Sequence, residues 1–476
     1  MKGKARHFLS IFAVIAFLYW TAGSGCAVQV PPSGGPRDSL PPNLISVKPI
    51  DSSVNFLGKK IVFQFDEYVQ LDKPTENLIV NPTPKINPRV EGHLSTVTVT
   101  IKDTLQPNTT YSFDFGKTIK DVNEGNVLKD FRYVFSTGPS IDTFTLSGQV
   151  IDAQTGIPDS TLIVELYSKT DDSAVTKEKP VYVTRLNGKG IFTFHFLHPG
   201  SYALYALKDE GGTRRYLSKQ QKFAFADAPV LVGDSSKAVT LYAYVEEDKE
   251  KEKKPAVAAP AAKKNNKEKE KKDDILRIAS NLDKGTQDLL DSFKLFFRPD
   301  PLKNFDSSKI RFTDEKFETL PNAHFIPDSN ISTISLGYNW TENTAYNIII
   351  DKDFGEDTLG RKLLRNDTLS FRTRKIAEYG LLRLRFPGLD LSKHPLLLFI
   401  QNNVIKEIHR FISNEYYAKL FRPGDYELRI VYDENQNGRW DAGEFFGVHR
   451  QPERVLPISR KLTVKANWEN EVDINL

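Results

Sequence analysis

The chain has a single cysteine, Cys26, in 476 residues, so no intramolecular disulfide can form and no cysteine metal cluster is available. It also lacks any run of 18 apolar residues, which excludes a membrane-spanning helix. Charge of one sign is missing too. The formal net charge is +4 with 26% charged residues, so no basic field argues for nucleic acid as a partner. Eight histidines are present without a His-x-x-x-His or His-Glu-x-x-His pair, and there is no Gly-x-Ser-x-Gly elbow or phosphate-cradling glycine loop. His195 and His198 flank phenylalanines in a strand and its turn and read as structural. No enzyme class is indicated.

What is present begins at the N-terminus. Lys2, Lys4 and Arg6 precede "FLSIFAVIAFLYW", a run of the length of a signal-peptide core, which predicts a signal peptide over 1–25. The small residues of "TAGSGC" before Cys26 resemble the lipobox of a bacterial lipoprotein, with Gly23 where leucine is usual. That resemblance implies an acylated Cys26 as the mature N-terminus, and lipid chains at about 0.8 kcal/mol per buried CH2 hold a protein on a membrane. The alternative is an ordinary secretory signal cleaved near Gly25. Residues 26–40, rich in Pro, Gly and Ser, form a tether. Their "PPSGGPRDSLPP" is similar to the opening of a group of Bacteroidota lipoproteins carrying bacterial immunoglobulin-like domains.

Period-two alternation dominates the rest and predicts an all-β chain of tandem β-sandwiches. In "KIVFQFDEYV" it sets Ile61, Phe63 and Phe65 inward, and it recurs in "STVTVTI" and "FRYVFSTG". With "NTTYSFDFGKTIKDVNEGN", the 41–138 segment resembles the immunoglobulin-like domain of bacterial surface-layer proteins. At 144–245, "LSGQVIDAQTG" and "NGKGIFTFHFLHPGSYALYALKD" resemble the carboxypeptidase-regulatory-like, or transthyretin-like, sandwich, which is not a peptidase despite its name. Residues 246–274 are almost wholly Lys, Glu, Asp, Ala and Pro and read as a solvated charged linker.

Beyond the linker the chain starts again. "NTAYNIII" echoes "NTTYSFDF" and "LSFRTR" echoes "YVFSTG" at offsets of 235 and 236 residues, while "RPGDYELRIVYDENQNG" echoes "HPGSYALYALKDEGG". The expected pair is therefore present twice, with a divergent Ig-like sandwich at 275–375 and a transthyretin-like one at 376–476.

The last sandwich contains "DENQNGRWDAGE", which fits a calcium loop at every ligand position. Asp433, Asn435, Asn437, Asp441 and Glu444 supply side-chain oxygens, Arg439 its carbonyl with its charge outward, and Gly438 the bend. Tyr426, Leu428, Ile430 and Tyr432 alternate before it, so the loop leaves a strand and no helix pair is expected. In the first copy Gly211 and Thr213 replace the middle ligands, so that loop should take no ion.

The expected function is a non-enzymatic outer-membrane lipoprotein, an interaction scaffold whose partner is a membrane β-barrel or its assembly or transport machinery. A glycan-binding lipoprotein of a polysaccharide-uptake system is the alternative, and it requires coplanar aromatic side chains on one face. Either face of the outer membrane remains open.

Overall fold

The computed structural model describes residues 37–246 and 275–476; Cys26, the signal peptide and nearly all of the tether and linker lie outside them. Two compact units result, Met1–Thr143 and Phe144–Leu476.

In the first unit, strands Leu44–Lys48, Lys60–Phe65, Thr96–Thr100 and Arg89–His93 form one antiparallel sheet, in that order. It faces a sheet of Ile79–Asn81, Thr110–Asp114 and Arg132–Ser136. The cause is the alternation: Phe63 lies opposite Val97 and Ile61 opposite Val99, all fully buried, while the intervening residues turn outward. Phe63 meets Phe115 and Tyr133 edge-on from the facing sheet, at 5.3 Å each.

The second unit holds three such sandwiches. In the first, Phe144–Asp152 pairs antiparallel with Ile191–Leu197 and parallel with Val239–Ala243. That close parallel pairing demands glycine at 148, where a Cβ would meet the Val239 carbonyl at 2.0 Å. The facing sheet runs Tyr182–Arg185, Ile163–Tyr167, Gly200–Leu207, Phe223–Phe225. Tyr202, Leu204 and Ala206 point into the core between them.

The next sandwich faces Phe293–Arg298 and its neighbours against Asp367–Thr373, Ala345–Ile350 and Ile310–Asp314. Phe293, Leu295 and Phe297 are its inward set. The last repeats the topology of the first. Gly380–Arg385 pairs antiparallel with Glu415–Phe421 and parallel with Glu469–Asp473, and the facing sheet runs Val404–Arg410, Pro395–Gln401, Gly424–Tyr432, Val455–Val464.

Two turns repeat as well. Asp121 accepts backbone N–H groups from Glu124, Gly125 and Asn126, and Asp357, 236 residues later, accepts those of Leu359 and Arg361. Asp209 accepts those of Thr213 and Arg214, as Asp433 does those of Asn437 and Gly438.

Candidate metal centre

The strand Gly424–Tyr432 delivers the chain to Asp433, whose side chain has no exposed surface. An ionised carboxylate in that position needs donors. It takes the Asn437 amide on Oδ1 at 3.0 Å, the Gly438 amide on Oδ2 at 2.8 Å and the Arg410 guanidinium on Oδ2 at 3.3 Å. Gly438, at φ +83°, supplies the left-handed bend that lets both amides face one side chain.

Asp441 is brought to the same place from the other side of the loop. The side-chain amides of Asn435 and Asn437 each donate to its Oδ2 at 2.5 Å. Their own carbonyl oxygens accept the backbone N–H groups of Asn437 and Arg439. Arg439 does not point its charge away, as the sequence suggests, but brings Nε to 3.5 Å from Asp441 Oδ1. Four of the expected side chains, Asp433, Asn435, Asn437 and Asp441, are therefore gathered in one loop.

Glu444 is placed elsewhere. Its backbone exchanges two hydrogen bonds with Arg450, and its carboxylate lies 3.9 Å from that guanidinium. The carboxylate beside Asp441 is instead Glu453, buried, accepting the N–H groups of Glu434 and Asp441 at 3.0 Å each. Burial, against those two hydrogen bonds and with the charges of Asp441 and Asp433 adding to it, pushes the Glu453 carboxyl up to about 7. No local pattern marks this residue: the hairpin pairs Val431 with Val455, which sets 453 opposite 433, a register fixed only by where the returning strand lies.

The donors are carboxylate and amide oxygens without His or Cys, a hard set of the kind calcium takes. As they stand, however, no group of three or more His, Cys, Asp or Glu among the described residues is arranged to hold a metal ion. The two asparagine oxygens are engaged in backbone turns and Glu444 is turned to Arg450. In the first-copy loop, Arg214 sits within electrostatic range of Asp209 and the fully buried Glu165, so that loop carries its own cation.

The other features that would carry chemistry are plain. One cavity of about 400 Å³ in the first unit is lined by Val80, Pro82, Ile101, Tyr111 and Phe113 among others, and no histidine lines it. The His198 backbone N–H donates to the Tyr182 hydroxyl at 3.3 Å, a bond that does not involve the imidazole. Among the described residues the tryptophans do not form a platform. Trp340 meets Tyr338 at 63° and donates to Asp291 O, Trp440 donates to Glu453 O, and Trp468 stands exposed beside Lys465. No helix among the described residues is long and apolar enough to cross a membrane, a statement that leaves β-barrels aside.

Residues 38–137 match the family model of the bacterial Ig-like domain. No curated protein matches the chain. Among solved structures, the Bacillus anthracis TIE protein is 10% identical over 94% of this chain and 75% of its own, with a TM-score of 0.17. The major pilin subunit BcpA of Bacillus cereus is 10% identical over 70% of this chain and 98% of its own, also at 0.17. An L,D-transpeptidase of Mycobacterium smegmatis is 16% identical over 27% of this chain, at 0.16, and this chain spans about half of it, 55%. Scores this low carry no functional argument. The class rests on the described fold and on the family match: tandem β-sandwiches over the described residues, with 38–137 matching the bacterial Ig-like domain.

Proposed function

We propose that this chain is a non-catalytic interaction scaffold of a bacterial cell envelope, carried on the outer membrane by lipid at Cys26. The observation that supports it best is the succession of sandwiches, each filled by its own side chains, behind a bacterial Ig-like domain. Such an array extends binding surfaces from an anchor and needs no reaction centre. The likeness of 26–40 to Bacteroidota lipoprotein openings and of 144–245 and 376–476 to transthyretin-like sandwiches belongs to the same reading. A membrane β-barrel or its assembly or transport machinery is the partner we infer. Trp340, edge-on to its aromatic neighbours, and Trp440, each bonded to a backbone carbonyl, offer no coplanar pair, which disfavours the glycan alternative.

Calcium is part of this proposal. Asp433, Asn435, Asn437, Asp441 and Glu444, with the Arg439 carbonyl, would hold the ion, which would neutralise the buried carboxylates and fix the loop. Sites of this kind outside cells bind at about 10^-4 to 10^-3 M. Calorimetry on the mature chain should show a heat of binding in that range that Asp433→Ala removes; no heat at millimolar calcium would end the proposal.

The anchor has its own test. Cys26→Ala should release the protein from membranes and abolish labelling by a palmitate analogue. Labelling that persists in the variant would overturn lipidation at this residue.

A further inference from the structure

The segment from Trp440 to Gln451 leaves its own sandwich and lies across the outer face of the sandwich at 144–246. Phe445, fully buried, sets its ring 5.6 Å from Tyr205, 5.0 Å from Phe223 and 5.1 Å from Phe225. Phe446 stacks on Tyr216 at 5.8 Å. At Gly443 the backbone passes so close that a Cβ would lie 2.6 Å from the Tyr244 ring. Polar pairs fix the edges: His449 Nε2 to Asp172 Oδ2 at 2.7 Å, Gln451 Nε2 to Asp227 Oδ1 at 2.7 Å, and the Arg454 guanidinium over Tyr242 at 5.2 Å. Acidic residues on the receiving face meet basic and amide groups on the strap.

We propose that this aromatic face also receives the strap of a second copy of the chain, so that two copies assemble by trading their 275–476 halves. Each partner sandwich has a complete core of its own, so undocking exposes the interface without unfolding either. The halves travel as blocks, because the Tyr379 hydroxyl donates to Asp288 at 2.9 Å and Arg422 bridges Asp288 at 3.0 Å and Asp291 at 2.8 Å between the two later sandwiches. Between Glu246 and Ile275 lie 28 residues. A chain of that length reaches at most about 100 Å, far enough for a strap from either copy to fill the same face. Exchange reproduces every contact already made and needs no new one. The tethered strap competes at an effective concentration on the order of millimolar, so exchange takes over where chains are crowded to that level, as anchored copies would be. In naming its partner as a second copy, this inference extends the scaffold reading, but it needs neither calcium nor any envelope partner.

The test uses full mature chains in a Cys26→Ser background, one carrying Asp172→Cys and another His449→Cys, both at exposed rim positions. They are mixed at a concentration on the order of 1 mM and treated with a short bis-maleimide. The expected result is a cross-linked dimer that needs both cysteines and is lost when Phe445→Asp is added to the His449→Cys chain. A single chain bearing both cysteines, cross-linked internally while the mixture yields no dimer, would overturn the exchange. Absence of either product would overturn it as well, since the strap would not lie on that face. Co-purification of an envelope partner would be unchanged in both failures, which separates them from failure of the scaffold reading.

Discussion

Single carboxylates hold the turns of this chain, and their chemistry is testable at Asp121. Burial alone would raise its carboxyl, but the N–H groups of Gly125, Glu124 and Asn126 outweigh that and hold it below the usual carboxylate range. A depressed folded-state value means the stabilisation is complete above the unfolded value of about 3.9 and is lost as pH falls through the folded one. Asp121→Ala leaves three amides without an acceptor and should cost about 1–3 kcal/mol at neutral pH in urea melts. That cost should shrink in strong acid. An equal cost at both pH values would mean the carboxylate charge is not what holds the turn. In the sequence Asp121 is one residue of "NTTYSFDFGKTIKDVNEGN"; its likeness to Asp357 appears once the amides are seen to converge. Glu453 was missed for a related reason. Its role depends on which residue a returning strand sets opposite Asp433, a long-range register that local pattern does not carry.

At the level of elements, alternation was a sufficient guide wherever one face of a strand is buried. Ile61, Phe63 and Phe65, and again Phe293, Leu295 and Phe297, point inward as their spacing requires. The loop after Tyr432 was legible as a set of oxygen donors, and its first four side chains do gather. Its last expected donor, Glu444, instead lies within the strap, where a bridge to Arg450 closes the 444–450 turn that carries Phe445 and Phe446 against the neighbouring sandwich. Two adjacent phenylalanines in a polar loop were the only sequence sign of that contact. Gly443 gives the element-level prediction. Its backbone does not require glycine, yet a methyl group there meets the Tyr244 ring, so Gly443→Ala should loosen the docked sandwiches by about 1–3 kcal/mol. Hydrogen exchange would show this as faster exchange in Ala203–Leu207 and Phe223–Phe225, with the Leu146–Val150 core strand unaffected. Unchanged exchange in the first two segments would mean that the strap contributes nothing to holding them.

For the whole molecule, the parallel pairing of first and last strands recurs in 144–246 and in 376–476, the two segments that share the Pro-Gly-x-Tyr echo. What sequence could not carry is the docking of two sandwiches separated by a linker and a third sandwich. That depends on surfaces that read, residue by residue, as ordinary aromatic strands. The anchor, the ion and the partner are proposals about this assembled object, and the last of them is its purpose. Affinity purification of the full chain from gently solubilised membranes tests that claim most directly, with Cys26→Ala as the comparison. The account predicts a near-stoichiometric envelope protein, a β-barrel or a member of its machinery, recovered with the native chain and lost with the unanchored one. A chain that purifies alone, or one that instead retains polysaccharide with measurable affinity, would contradict it.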